Sequence, residues 1–364
     1  MPQRFHPLES VSWGAQANRQ VKLDLLPPQQ RLYNLHLYFD LSGTKDAADA
    51  LTADLFPRAI ALLKVGQYVN IDGWALRELM RQVNGRTTNQ GTDIPGSGTT
   101  FTMKFELVIP FRNARQPGAS DGAIPSELLH GKAVEVTFSA ANVWGVGNLV
   151  LTAGNVRCVA EMVHETNVPQ LSEIGYKDPG AQTIQLEPGV YLDLFLLDGS
   201  TPGTITQAEI SAVSMEVDGE SVWNNTLHEQ IVAAFNDSGV KDTANELAVN
   251  AATRLPLIWQ DQSGKAEISK QPAIENGGRI QITGSMSSPR VVFWRALPKD
   301  QKAVEAIAAA TGAPGHATEY EPTTASKKPL RAMDRATGGS VPKKARILGS
   351  VLPGKVRTPG TANK

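Results

Sequence analysis

Met103, Phe105 and Leu107 alternate with Lys104 and Glu106, the two-residue period of a strand with one face buried. Similar short stretches recur along the chain. They cover residues 21–26, 32–41, 60–65, 100–110, 133–140, 149–152 and 155–163, then 183–186, 191–197, 210–217, 254–259, 279–283 and 290–294, with Gly, Pro, Asn and Asp punctuating the connections. Helical spacing is confined to residues 47–55, 75–83, 227–235 and 301–310. In the second of these, Leu76, Leu79, Met80 and Val83 share one stripe and Arg77, Glu78 and Arg81 face away from it, with Asp72 as a cap and Asn84-Gly85 as a stop. Many short strands, long connections and few helices predict an all-β protein built from sandwiches, not a parallel α/β sheet. About eight strands per sandwich with long crossing loops is the requirement of a jelly roll.

The pattern occurs twice. Residues 33–43 (YNLHLYFDLSG) return as 191–199 (YLDLFLLDG), and each copy is followed by the same landmarks in the same order. A strand, Gly turn and strand at 60–69 is answered at 210–222, and a short amphipathic helix at Leu76 and Leu79 is answered at Leu227 and Ile231. Val108-Ile109-Pro110-Phe111 is answered by residues 255–259, and residues 131–137 by 278–283. The separations between matched positions are 156 for Gly43 and Gly199, 153 for Gly66 and Gly219, 154 for Gly85 and Gly239, 146 for Pro110 and Pro256, and 147 for Gly131 and Gly278. Drift that small is absorbed by surface loops, so the sequence predicts two tandem jelly-roll β-sandwiches with short helical insertions.

The expected organisation is an irregular N-terminal arm at 1–19, a first jelly roll at 20–163, a linker at 164–181, a second jelly roll at 182–297 and a C-terminal extension at 298–364. A chain of 364 residues is long enough for two cores of ordinary domain size. No stretch matches the roughly 18–20 apolar residues of a membrane span, and the first residues lack the apolar centre of a signal peptide. Cys158, the lone cysteine, lies on an alternating strand face and reads as a small core residue.

Charge is unevenly placed. Residues 326–364 hold ten Lys or Arg against the single acid Asp334, while the other 325 residues carry 25 basic and 35 acidic groups. Gly, Pro, Ser and Thr separate those charges, which predicts a flexible, disordered tail from 326 onward. Its candidate contact residues are Lys327, Lys328, Arg331, Arg335, Lys343, Lys344, Arg346, Lys355 and Arg357. Such a tail is attracted to nucleic acid or anionic lipid.

Catalytic chemistry finds no constellation. Tandem sandwiches could instead form a metal-binding cupin, but the histidines at 6, 36, 130, 164, 228 and 316 never occur as a His-x-His pair. Residues 349–356 (GSVLPGKV) approach a phosphate-binding loop but place Val356 where Ser or Thr is needed. The turn acids Asp198, Asp218, Glu220 and Asp237 lack the spacing of a calcium loop. No catalytic, cofactor or metal site is assigned.

Residues 205–223 (ITQAEISAVSMEVDGESVW), followed by the helix at 227–235, resemble the strand, Asp-Gly turn, strand and helix of double jelly-roll major capsid proteins. The group is that of the tailless icosahedral bacteriophages with an internal membrane, corticovirus-like and tectivirus-like. Residues 60–83 carry a looser version with Gly66 in place of Asp-Gly. The resemblance implies a structural subunit, synthesised in the host cytoplasm and found in the virion. Three copies form a pseudo-hexagonal homotrimer that tiles the capsid lattice and meets vertex or membrane proteins. It also implies inward-facing termini, with Arg4, Arg19 and the basic tail against the internal membrane or the genome. The alternatives are a spike or minor vertex protein, or a tandem carbohydrate-binding module displaying Trp74, Trp144 or Trp223.

Overall fold

The computed structural model describes residues 4–297 apart from 15–17, 49–52, 85–91, 94–97, 112–122, 140–148, 165–170, 178–181, 200–204, 238–246, 249–250, 253 and 258–272. The basic tail, the loop at 349–356 and the helix expected at 301–310 lie outside the described residues.

The first half contains β1 (Arg4–Gly14), β2 (Arg19–Lys22), β3 (Arg31–Thr44), β4 (Ile60–Val65), β5 (Val69–Ile71), helix α1 (Gly73–Asn84), β6 (Thr92–Asp93), β7 (Thr100–Pro110), β8 (Ile124–Pro125), β9 (Ala133–Phe138) and β10 (Val150–Val163). The second contains β11 (Ser172–Lys177), β12 (Thr183–Leu186), β13 (Gly189–Asp198), β14 (Ile205–Thr206), β15 (Ala212–Val217), β16 (Glu220–Asn225), helix α2 (Leu227–Asp237), β17 (Leu247–Ala248), β18 (Ala251–Ala252), β19 (Leu255–Pro256), β20 (Ala273–Ile274), β21 (Gly278–Thr283) and β22 (Pro289–Ala296).

Without the short additions β6, β8, β14, β17, β18 and β20, each half has eight strands arranged identically. The first, eighth, third and sixth form one sheet, β1-β10-β3-β7 in one half and β11-β22-β13-β19 in the other. The second, seventh, fourth and fifth form the opposing sheet, β2-β9-β4-β5 and β12-β21-β15-β16. That is the jelly-roll order, present twice.

The halves are joined by a sheet edge. β5 pairs in parallel with β11, Val69 opposite Ile174 and Asn70 opposite Gly175, so one sheet continues through both sandwiches. The Ile174 amide donates to the Tyr68 carbonyl across this junction at 2.8 Å.

The ladders also give the duplication a register, shifted from the sequence matches on these strands, so that Tyr33 answers Leu192 instead of Tyr191. β3 skips Tyr33 against β10, so that Leu32 faces Met162 and Asn34 faces Glu161. β13 skips Leu192 against β22 in the same way, with Tyr191 facing Arg295 and Asp193 facing Trp294. Matching the bulges makes Asn34 equivalent to Asp193, His36 to Phe195 and Tyr38 to Leu197. Each fifth strand runs straight into a capped helix. Asp72 Oδ1 accepts from the Ala75 amide at 2.7 Å, and Thr226 Oγ1 accepts from the Glu229 amide at 3.3 Å. Pro110 and Pro256 sit on equivalent strands but two places apart in register, since Pro110 faces Asn34 and Pro256 faces Phe195.

Several expectations differ from the structure, and the strand expected at 21–26 runs only from Arg19 to Lys22 before a turn. The supposed arm contains β1, paired along β10 with a bulge between Pro7 and Ser10, and Arg19 begins β2. An outermost strand has little apolar alternation to advertise it, and Pro7 is tolerated there because an edge leaves amides unused. The supposed linker contains β11, whose Gly175 lies under the Phe293 ring. In place of a helix at 47–55, residues 47–48 form a turn and a short 3₁₀ segment spans Ala53–Ala59 with Pro57 inside it, a residue that cannot donate to an α-helical ladder. The strands expected at 149–152 and 155–163 form one bulged strand, β10, from Val150 to Val163.

Candidate inter-domain seam and assembly flank

Helix α1 has two buried sides. Leu76, Leu79 and Met80 enter the core of the first jelly roll, as their spacing predicts. Arg77, Glu78 and Arg81, expected to face solvent, are 2%, 0% and 11% exposed. The second jelly roll covers them. Glu78 accepts from Arg254 at 3.4 Å and from Arg81 at 3.2 Å, with Arg77 at 3.5 Å. Gln82 donates to Asp193, and Arg290 donates to the capping carboxylate of Asp72. Trp74 packs beneath the Arg77 and Arg58 guanidiniums, 4.9 and 5.5 Å from its ring centre. Burial pushes Arg58 down to about 10, against the pull of Asp72 and Asp198.

The covered sheet of the second jelly roll is apolar on both faces. Leu192, Phe195, Leu197, Val292 and Trp294 join the core of the first half, while Tyr191, Leu194, Leu196, Val291 and Phe293 line the core of the second. A strand buried on both faces reads as a continuous apolar run, and β13 does (YLDLFLLD). Trp294 is fully buried and its indole N–H donates to Ser172 Oγ at 2.8 Å.

The equivalent flank of the first jelly roll, the outer face of β1-β10-β3, is polar and partly open. His36 Nδ1 lies 2.8 Å from Glu106 and its Nε2 3.4 Å from Glu161. Burial opposes the imidazolium, but the two carboxylates outweigh it and raise His36 to about 9 from its ordinary 6.5. Because the folded value exceeds the unfolded one, the stabilisation is complete below about pH 6.5 and is lost as pH rises through about 9. The expected loss over that interval is about 1–2 kcal/mol, reduced from the full shift by solvent screening. In His36→Gln, the decline of thermal midpoint between those pH values should flatten.

Other candidate groups serve the fold. Cys158 is buried and its thiol is pushed up to about 12 by that burial. Asp218 and Gly219 take positive φ values of 52° and 85° and turn the β15-β16 hairpin, where only small or turn-forming residues are at ease. The Asp218 carboxylate accepts from the amides of Glu275, Asn276 and Gly277, which offset its desolvation and hold it below the usual carboxylate range. Trp74 and Trp223 are partly buried against the cores, and Trp144 lies outside the described residues. Lys327 through Arg357 also lie outside them.

No protein-family model and no curated protein matches the sequence. Solved structures do. The chain is similar to the major capsid protein of STIV, with a TM-score of 0.56, 10% identity, and 81% of this chain and 96% of that chain covered. An atomic structure of Sulfolobus turreted icosahedral virus gives 0.56, 11% identity and coverage of 85% and 96%. The PBCV-1 virus capsid gives 0.50, 10% identity and coverage of 81% and 93%. The fold is the double jelly roll of viral major capsid proteins. At such identities the likeness is one of fold, and it extends over nearly the full length of those double jelly-roll chains.

Proposed function

We propose that this double jelly roll is a major capsid subunit, a structural and non-catalytic component of an icosahedral virion, synthesised in the host cytoplasm. One observation carries the reading: two sandwiches of identical strand order lie side by side and share a sheet edge. Three such chains supply six similar units, the arrangement a hexagonally tiled shell requires, with contacts repeated around a closed ring. The partners are then two further copies, the surrounding lattice, and vertex or membrane proteins of the particle. The strand-turn-strand-helix resemblance supports an internal-membrane bacteriophage as the source. Sedimentation of the full chain should give trimers or larger assemblies; a monomer at high concentration would overturn the proposal.

The Lys/Arg-rich C-terminal sequence, from Lys327 to Arg357, meets the inner membrane or the genome in this scheme. Each phosphate it neutralises releases counterions, so binding must weaken steeply with salt. Deleting residues 326–364 is expected to leave the thermal midpoint unchanged. It should also lower low-salt affinity for duplex DNA or phosphatidylserine vesicles by roughly tenfold or more. Loss on DNA alone assigns the tail to the genome and loss on vesicles alone assigns it to lipid, whereas unchanged binding to both removes the role.

A further inference from the structure

Inside one chain, the flank of the second jelly roll is covered by the fifth strand and helix of the first. Among the described residues the same flank of the first jelly roll has no such cover, and the fifth strand and helix of the second have no such flank to rest on. β1 ends one sheet and β16 ends another. We propose that a second copy of the chain closes this gap: its β16 pairs in parallel with β1, and its α2 lies over the outer face of β10 and β3. The proposal rests on the self-assembling reading above and assigns the surfaces that reading needs.

The internal seam supplies the register. Val69 faces Ile174 and Asn70 faces Gly175. The helix caps make Val69 equivalent to Trp223 and Asn70 to Asn224. The ladders make Ile174, opposite Trp294, equivalent to Phe5, opposite Glu161, and hence Gly175 to His6. Trp223 of one copy therefore faces Phe5 of the next, and Asn224 faces His6. The Phe5 amide donates to the Val222 carbonyl, as Ile174 does to Tyr68.

Three features of the surface fit. The exposed large hydrophobics among the described residues are Phe5, Leu25, Tyr38, Val222 and Val232, and all except Leu25 fall on these two surfaces. The Trp223 indole nitrogen and His6 Nε2 are enclosed yet have no hydrogen-bond partner among the described residues, and both lie along the assigned edge. Arg157 is equivalent to Arg290, which meets the α1 cap at Asp72, and would meet the exposed Glu229 beside the α2 cap. Charge and apolar area thus match across the seam.

A double variant, His6→Cys with Asn224→Cys, tests the pairing in the full chain, since native Cys158 is buried. Directly opposed strand positions lie within disulfide reach. Oxidation should yield covalent dimers and closed trimers on non-reducing gels, and neither single variant should do so. Trimers in solution that fail to cross-link would overturn this surface assignment while leaving the capsid reading intact; monomers throughout would overturn both. Val222→Lys, at an exposed position, should abolish the trimer while keeping the monomer's thermal midpoint. A trimer that survives it argues against the β16 edge.

Discussion

Replacing Glu78 by Gln is expected to lower the unfolding free energy by about 3–5 kcal/mol, the usual cost of removing one member of a buried ion pair. Glu78 is fully buried with Arg77 and Arg254 at 2% and 1% exposure, so those two guanidiniums cannot recover the loss by turning to water. The carboxylate also joins the halves, because Arg254 belongs to the second jelly roll and Glu78 to α1. Urea unfolding followed by tryptophan fluorescence should show a large fall in midpoint, or a split into two transitions as the halves uncouple. Replacing Glu78 and Arg254 together with apolar residues of similar volume should recover part of the loss, the share due to Arg254, because a buried ion pair contributes little beyond its own desolvation. If the single variant unfolds within about 1 kcal/mol of the parent, the seam is not a closed, low-dielectric junction.

Trp294→Ala should cost a similar amount, about 3–5 kcal/mol, through lost apolar burial and the cavity left behind. Its ring comes from the second jelly roll but packs in the core of the first, so the penalty falls on the contact between them. Trp294→Phe should cost about 1–3 kcal/mol, part of it from a Ser172 hydroxyl deprived of its donor. Denaturant midpoints at constant m-value would measure both effects, and a neutral Trp294→Ala would mean that the halves barely touch.

Much of this architecture could be read from the residues because burial leaves a periodic trace. β3 alternates and is open on one face, while β13 does not alternate and is covered on both. The repeated Gly and Asp-Gly turns marked equivalent hairpins, since positive φ restricts what can occupy them. β1 and β11 leave no such trace, for the opposite reason. Their conformation is imposed by the strands beside them, and RFHPLESVSWG and SEIGYK carry too few apolar residues to announce it. The polar side of α1 is deceptive on the same ground: Arg77, Glu78 and Arg81 look like a solvated helix face until a second domain is laid against them. The flank proposed for assembly is not legible in the sequence, because it is defined by its strand-by-strand equivalence to the internal seam.

The unequal flanks have a bearing on how the protein is made. Chains emerge from the ribosome N-terminal half first. The half that must wait turns His36, Asp40 and Arg157 to water on this flank, which limits the apolar area it shows before its partner arrives. The half that follows carries Leu192, Phe195, Leu197 and Trp294 on its outside, and meets a finished template as it leaves the exit tunnel. Reversing the order of the two halves by circular permutation would release the adhesive one first, and inclusion bodies are the expected harvest.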